Sequence, residues 1–352
     1  MKYYLLTILL LLFVSFLSQG EPVIPEPKFS RLSTENGLSQ DSINSLLLDN
    51  EGFLWLGTHQ GLNRFDGYQN HQINGPNNEF YDVPINHLFQ DSKRNLWVSD
   101  AIKGVHQYNL TSNTIKHVIN LTLKRENQLP QLASHISEDD QGNILFSMDE
   151  GIYSYSYDTD KLSAEYLLPD EVIDNGSIVR AHLLSKDILF FGTRKGLYGV
   201  VRGSNKPTLI TYVPAVKQTI DNVNVKMLYA DNNDTLWIGT VEGLYSLSLS
   251  QAKQFVVGTQ PTPESKLRIK KRNIWQLASF NKDMFYVATD KGLYNYRINS
   301  EQPQHIFLPT DSRNFIASDV LKDVVVDSNN NLWIGSEDDG AIYWSHTTTL
   351  FS

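Results

Sequence analysis

No cysteine occurs among the 352 residues. That excludes disulfides, thiolate metal sites and cysteine nucleophiles. Catalytic signatures are missing too. The chain has no HExxH helix, no P-loop, no dinucleotide fingerprint and no nucleophile elbow. Its nine histidines (59, 71, 87, 106, 117, 135, 182, 305 and 346) are scattered, and none pairs with another at metal-ligand spacing. Positive charge is in short supply. Thirty Lys and Arg against 39 Asp and Glu leave a net charge of −9, which argues against a nucleic-acid partner. A single basic cluster, Lys266, Arg268 and Lys270 to Arg272, reads as a solvated loop or strand edge. Past residue 20 no long stretch carries helical apolar spacing.

One apolar run does stand out. Met1 and Lys2 precede Tyr3 to Leu17, with small residues at Ser18 and Gly20. The pattern fits a secretory signal peptide over 1–20, followed by a Pro-rich arm over 21–28. The run is shorter than the ~20 residues that a spanning helix needs, so the expected location is periplasmic or secreted.

What the chain has in quantity is aromatic residues, glycine and repetition. LWIGTVEGLYSL (Leu236 to Leu247) is a short apolar strand, a Gly-bearing turn and an aromatic return strand, a hairpin signature. It recurs seven times, with anchors at Trp55, Trp97, Leu145, Phe190, Trp237, Tyr286 and Trp333. The mean spacing is roughly 46 residues, which is a propeller period rather than a helical-solenoid one. The chain is therefore expected to be all-β, a seven-bladed β-propeller of four-stranded blades over 29–352. Fourth strands are expected at Thr114 to Ile119, Leu162 to Leu168, Pro207 to Val213, Lys253 to Val257 and Gln304 to Leu308, and protruding loops at 120–132 and 258–272. The seventh repeat has only three strands, and Phe29 to Ser33 is a spare strand. The N-terminal strand should complete the last blade, leaving no open sheet edge.

Two turn features repeat with the anchors. An Asp lies six residues before the anchor in five repeats: Asp49, Asp91, Asp139, Asp231 and Asp327. These Asn-rich stretches read as turns in which the Asp bonds the backbone, rather than as calcium loops. A glycine follows each anchor at 61, 104, 151, 196, 243, 292 and 340, suggesting a positive φ. Four residues later a bulky residue (Phe65, Tyr108, Tyr155, Val200, Leu247, Tyr296, Trp344) should pack between adjacent blades.

NGLSQDSINSLLLDNEGFLWLGTHQGLNRFDGY (Asn36 to Tyr68) resembles the two-component regulator propeller repeat. The resemblance is very close in repeats one, five and seven and degenerate in three, four and six. It implies an exported sensor region of a hybrid histidine kinase or membrane-bound diguanylate cyclase, in which two propellers precede a membrane helix and an output domain. This sequence contains a single propeller and stops where an eighth repeat would begin. The enzymatic output is therefore expected outside it, in a missing C-terminal half or a membrane-bound signalling partner.

A small-molecule, oligosaccharide or peptide ligand is expected at one mouth of the central channel, with no cofactor and no metal. The residues leading into each innermost strand are the candidates: Ser39, Gln40, Asp41 and Ser42, Tyr81 and Asp82, Ser134 and His135, Arg180, Asn222 and Asn224, Arg272, Asn273 and Trp275, and Ser318 and Asp319. Trp275 lies off the repeat's tryptophan position, beside Arg and Asn, as either a ligand-stacking ring or another core aromatic. A secreted lyase or glycosidase and a protein-interaction scaffold are the alternatives to a sensor.

Overall fold

The computed structural model describes residues 28–120, 133–169, 178–210, 223–298, 300, 302–306 and 319–345. The leader, most of the arm, the loop over 121–132, Asn222 and Ser318 lie outside these residues.

Seven four-stranded antiparallel sheets form the propeller. Blade one is typical, with strands Ile43–Leu48, Leu54–Thr58, Gly61–Phe65 and Asn70–Ile73 from the axis outward. The innermost strands of the other blades are Ile85–Gln90, His135–Glu138, Val179–Ser185, Val225–Ala230, Ile274–Asn281 and Leu321–Val326. Each touches the innermost strand of the next blade, and the seventh touches the first. Closure follows the expectation. Lys28–Leu32 pairs antiparallel with Ala341–Ser345 as the outer strand of blade seven, and Phe29 stacks on Trp344 at 5.4 Å.

The core lies between blades. The anchor of one blade meets the bulky return-strand residue of the next, edge-on or tilted: Trp55 with Tyr108 at 6.5 Å, Trp97 with Tyr155 at 5.5 Å, Trp237 with Tyr296 at 5.5 Å, and Tyr286 with Trp344 at 5.9 Å. Trp333 meets Phe65 at 5.5 Å across the closure. Such geometry suits the aromatic quadrupole and adds to the area buried. Glycine completes the fit. The glycine after the anchor strand's apolar triplet lies against the first inner residue of the next blade. A Cβ on Gly335 would meet Ile43 Cγ2 at 2.7 Å, one on Gly57 would meet Ile85 at 2.7 Å, and one on Gly239 would meet Ile274 at 2.9 Å.

The turn aspartates bond their own turns. Asp231 accepts the backbone N–H of Asn233 at 2.8 Å and of Thr235 at 2.9 Å, while its second oxygen accepts the indole N–H of Trp237 at 2.9 Å. Asp49 with Trp55 and Asp91 with Trp97 repeat the indole bond at 2.8 and 2.7 Å. One side chain thus closes the turn and satisfies a buried donor that would otherwise be orphaned.

Two expectations fail. Lys253 to Val257 is not a strand but the end of a helix, Leu249–Val256. Ser248 caps it, accepting from Gln251 N, and Asp234 holds the Ser250 N–H at 2.9 Å. Leu249 and Ala252 are buried on one helix face, and Val256 packs over Gly199 of blade four. The outer strand of blade five is instead Lys266–Lys270, within the stretch 258–272 expected to protrude as a loop, and the basic cluster lies on this edge strand, one of its two expected places. The second failure concerns glycine. Gly61, Gly104, Gly196, Gly292 and Gly340 do have positive φ, but Gly151 and Gly243 do not. There the outer strand comes too close for a side chain, since a Cβ would lie 2.2 Å from the carbonyl of Tyr166 or Ile269.

Two outcomes are expected in urea titrations. Asp231→Ala removes the turn bonds and strands the Trp237 N–H, and should cost about 2–4 kcal/mol. Gly335→Ala forces a methyl into Ile43 at the ring closure and should cost about 1–3 kcal/mol. Unchanged midpoints would refute these two roles.

Candidate functional site

Near its start, the innermost strand of six blades slips register by one residue. The slips fall between Ile43 and Ser45, Ile85 and His87, Val179 and Ala181, Val225 and Met227, Ile274 and Gln276, and Leu321 and Asp323. A bulge of this kind leaves one residue out of the ladder and re-aims its side chain. The skipped residues are Asn44, Asn86, Arg180, Lys226, Trp275 and Lys322. In blade three Ser134 precedes the strand and takes the same place, its N–H donating to Ser147 O at 2.9 Å. All seven line one cavity of about 440 Å³ at the centre of the ring.

The neighbours of the bulged residues complete its wall. Ser45, His87, His135, Asn224, Gln276 and Asp323 also line it. Four polar atoms on lining residues are buried without a partner: Asn86 Nδ2, His87 Nδ1, Asn224 Oδ1 and Trp275 Nε1. Lys226 lies over the Trp275 ring, 3.3 Å from its centroid. Asp323 reaches across the closure, its two carboxylate oxygens accepting from Leu46 N at 2.7 Å and Val324 N at 2.8 Å. Burial pushes its pKa up to about 7.

Three histidines that are remote in sequence meet here. The rings of His87 and His135 are 5.1 Å apart, and those of His135 and His182 are 4.6 Å apart. His182 is 1 % exposed and lies within hydrogen-bond distance of Ser137 Oγ at 2.6 Å and Ser147 Oγ at 2.7 Å. Loss of hydration holds all three neutral: His87 falls to about 3, His135 to about 4, and His182 well below the usual imidazole value. For His87 and His182 the neighbouring imidazoles add to the effect.

Of the sequence candidates, His135, Arg180, Asn224 and Trp275 reach this cavity, together with Ser134. Ser39, Tyr81 and Asp82 line a smaller hollow of about 260 Å³ with Gln60, Gln72 and Asn74. The rest make contacts from the segments that lead into blades one, six and seven. Gln40 accepts from Ser42 N, and Asp41 holds Thr34 N at 2.7 Å. Arg272 donates to Tyr294 Oη at 2.9 Å, the Asn273 N–H donates to Asp290 at 2.9 Å, and Asp319 lies 3.4 Å from Lys291 Nζ. The sequence reading missed Asn44, Asn86, His87, Lys226 and Lys322 because it placed the mouth a few residues too early. A signal was available: an aliphatic residue at 43, 85, 179, 225, 274 and 321 is each time followed by the cavity residue.

Residues 37–60 match the family model of the two component regulator propeller. No curated protein sequence matches the chain. Among solved structures, the chain is similar to the extracellular domain of a protein described as a hybrid two component system of B. thetaiotaomicron, with 21% identity and a TM-score of 0.70, covering 91% of this chain and 42% of that one. A domain described as part of a one component system of the same organism gives 21% identity and 0.70, covering 92% and 41%. The chain thus spans about two fifths of the length of these structures. Virginiamycin B lyase of Staphylococcus aureus is similar at 14% identity and a TM-score of 0.65, covering 91% of this chain and 99% of that one. At these identities the likeness shows the propeller fold.

The ionisations predict an acid-labile ring. Each histidine has a folded pKa below its unfolded value of about 6.5. The unfolded chain therefore binds more protons below that pH, and the stability held at neutrality is lost on acidification. Asp323 acts in the opposite sense between pH 7 and its unfolded value. Three groups against one leave up to two protons of net slope, each worth at most about 1.4 kcal/mol per pH unit. The melting temperature should fall between about pH 6.5 and 4.5, and Asp323→Asn should steepen the fall. A flat profile would contradict the burial assigned to the stack.

Proposed function

With the two component regulator propeller repeat matched in its first blade as premise, we propose that this chain is the extracellular or periplasmic sensor propeller of a bacterial signal-transduction protein. It binds a small-molecule, oligosaccharide or peptide ligand in the central cavity. It relays that event to an output domain beyond its own residues, and performs no catalysis itself. The observation that carries the reading is the cavity: seven blades each contribute one re-aimed side chain, and four buried polar atoms there lack a partner. A closed wall of side chains with a few convergent polar groups is what ligand sites share. The likeness to extracellular domains described as parts of a hybrid two component system and of a one component system supports the location and the role.

One observation favours a second reading. Neutral imidazoles face the cavity, and a lyase shares the fold over nearly its whole length. A neutral histidine can accept a proton in an elimination. Thermal-shift screening of the chain from Glu21 against oligosaccharides and peptides, with a turnover assay on each hit, separates the two. A ligand at a hundredfold excess over its Kd should stabilise the fold by about 2.7 kcal/mol, and Trp275→Ala should abolish that stabilisation. Chemical conversion of the hit would replace the sensor by an enzyme.

A further inference from the structure

Arg180 and Lys226 occupy the same bulged position on consecutive blades and face one cavity. Neither makes a direct ion pair among the described residues, although Asp149 acts on Arg180 and Asp290 on Lys226 from beyond contact. Among the described residues the Arg180 guanidinium makes no hydrogen bond or ion pair, and the Lys226 ammonium is held over the Trp275 ring. Lys322 adds a third cation from blade seven, although Glu337 lies 3.2 Å from it. The one acid in the wall, Asp323, has both oxygens engaged by backbone N–H groups. In a chain of net charge −9 this concentration of cations is an exception.

Partial burial of two cations around one small space, with no carboxylate in contact with either, opposes folding. The strain is visible in their ionisation. Burial, and then the charge of Arg180, pulls Lys226 down to about 8. Burial, followed by the charge of Arg194, lowers Arg180. An anion seated between them would relieve both. The guanidinium offers a planar fork that matches an oxyanion, and the ammonium a point charge beside it. Around them, Asn86 Nδ2 and Trp275 Nε1 are free donors and Asn224 Oδ1 is a free acceptor. Those groups suit hydroxyls on a polar body rather than an apolar one.

We propose that the central cavity recognises a small organic oxyanion, a carboxylate, sulfate or phosphate carried on a hydroxylated body, with the charged group between Arg180 and Lys226. This rests on the cavity being the ligand site, as argued above. A neutral sugar or an uncharged peptide lacks the group that these cations address, and a cation is repelled.

Titration calorimetry of the chain from Glu21 with D-glucuronate, D-glucose, and inorganic sulfate and phosphate tests it. Glucuronate should bind saturably, and glucose at least about tenfold more weakly, a factor worth 1.4 kcal/mol. Arg180→Gln and Lys226→Gln should each weaken glucuronate at least about tenfold while the melting temperature of the free protein holds or rises. Raising the pH from about 7 to 9.5 should weaken binding as Lys226 loses its proton. Sulfate or phosphate binding as tightly as glucuronate, with the same loss in both variants, would support the oxyanion site and assign it to a free inorganic anion. Glucose binding as tightly as glucuronate, with both lost in Trp275→Ala, would overturn the anion while leaving the ligand site standing. Failure of all three anions, or equal binding by the double variant, would overturn it as well.

Discussion

A four-stranded sheet that is apolar on both faces can bury them only against another sheet. Every blade is in that position, and the ring satisfies all seven at once. At four junctions the contact that sets the spacing is small: a glycine on one blade receives the first aliphatic residue of the next, Gly335 with Ile43, Gly57 with Ile85, Gly192 with Val225 and Gly239 with Ile274, while the other three junctions carry the small residues Ser99, Ser147 and Ala288 at the same strand position. Only a residue without a Cβ permits that approach. The same contact governs the site. The aliphatic residue that seats the blade is followed at once by the residue skipped in the ladder. Seating the strand on its neighbour and turning the next side chain to the axis are one backbone event. Fold and cavity share a cause.

Charge is sorted by the same geometry. In five blades a turn aspartate finds N–H donors of the backbone, and in three of them an indole as well, so its charge is solvated by the turn itself. Towards the axis the arrangement is different. Imidazoles are kept neutral, a carboxyl is pushed towards protonation, and Arg180 and Lys226 make no direct ion pair. Polar groups that are not mutually satisfied are unstable in a packed interior. Four such atoms, Asn86 Nδ2, His87 Nδ1, Asn224 Oδ1 and Trp275 Nε1, gather on residues around the one central cavity, whereas the others are spread through the ring.

Much of this was legible in the sequence, because periodic features leave periodic traces. The anchors, the turn aspartates and the bulky return residues repeat visibly, and a spare first strand with a three-stranded last blade spells closure. What did not repeat was harder to read. The blade-five helix over Leu249–Val256 replaced an expected strand because its face, Leu249, Ala252 and Val256, is too short to show a period. Gly151 and Gly243 looked like turn glycines, but they answer to a close backbone approach that no local pattern reports. Within the site, Arg180 is one of the strand-entry candidates and Trp275 stands out as off the repeat's tryptophan position, whereas Lys226 and Lys322 look like ordinary strand charges. The rule for finding them is the bulge, a feature of pairing and not of composition. The histidine stack was hidden for a related reason: His87, His135 and His182 come from three blades and adjoin only in the closed ring.

Because each bulged residue stands outside the register of its strand, exchanging it disturbs little of the ladder that holds the blade. Six such positions, with Ser134 of blade three in the equivalent place, surround a single space. Point substitutions at 44, 86, 134, 180, 226, 275 and 322 could therefore rewrite the chemistry of the centre one letter at a time, while glycine nests, anchors and turns stay as they are. The closed ring thus has a centre whose lining can change one blade at a time without touching the contacts that hold the blades together.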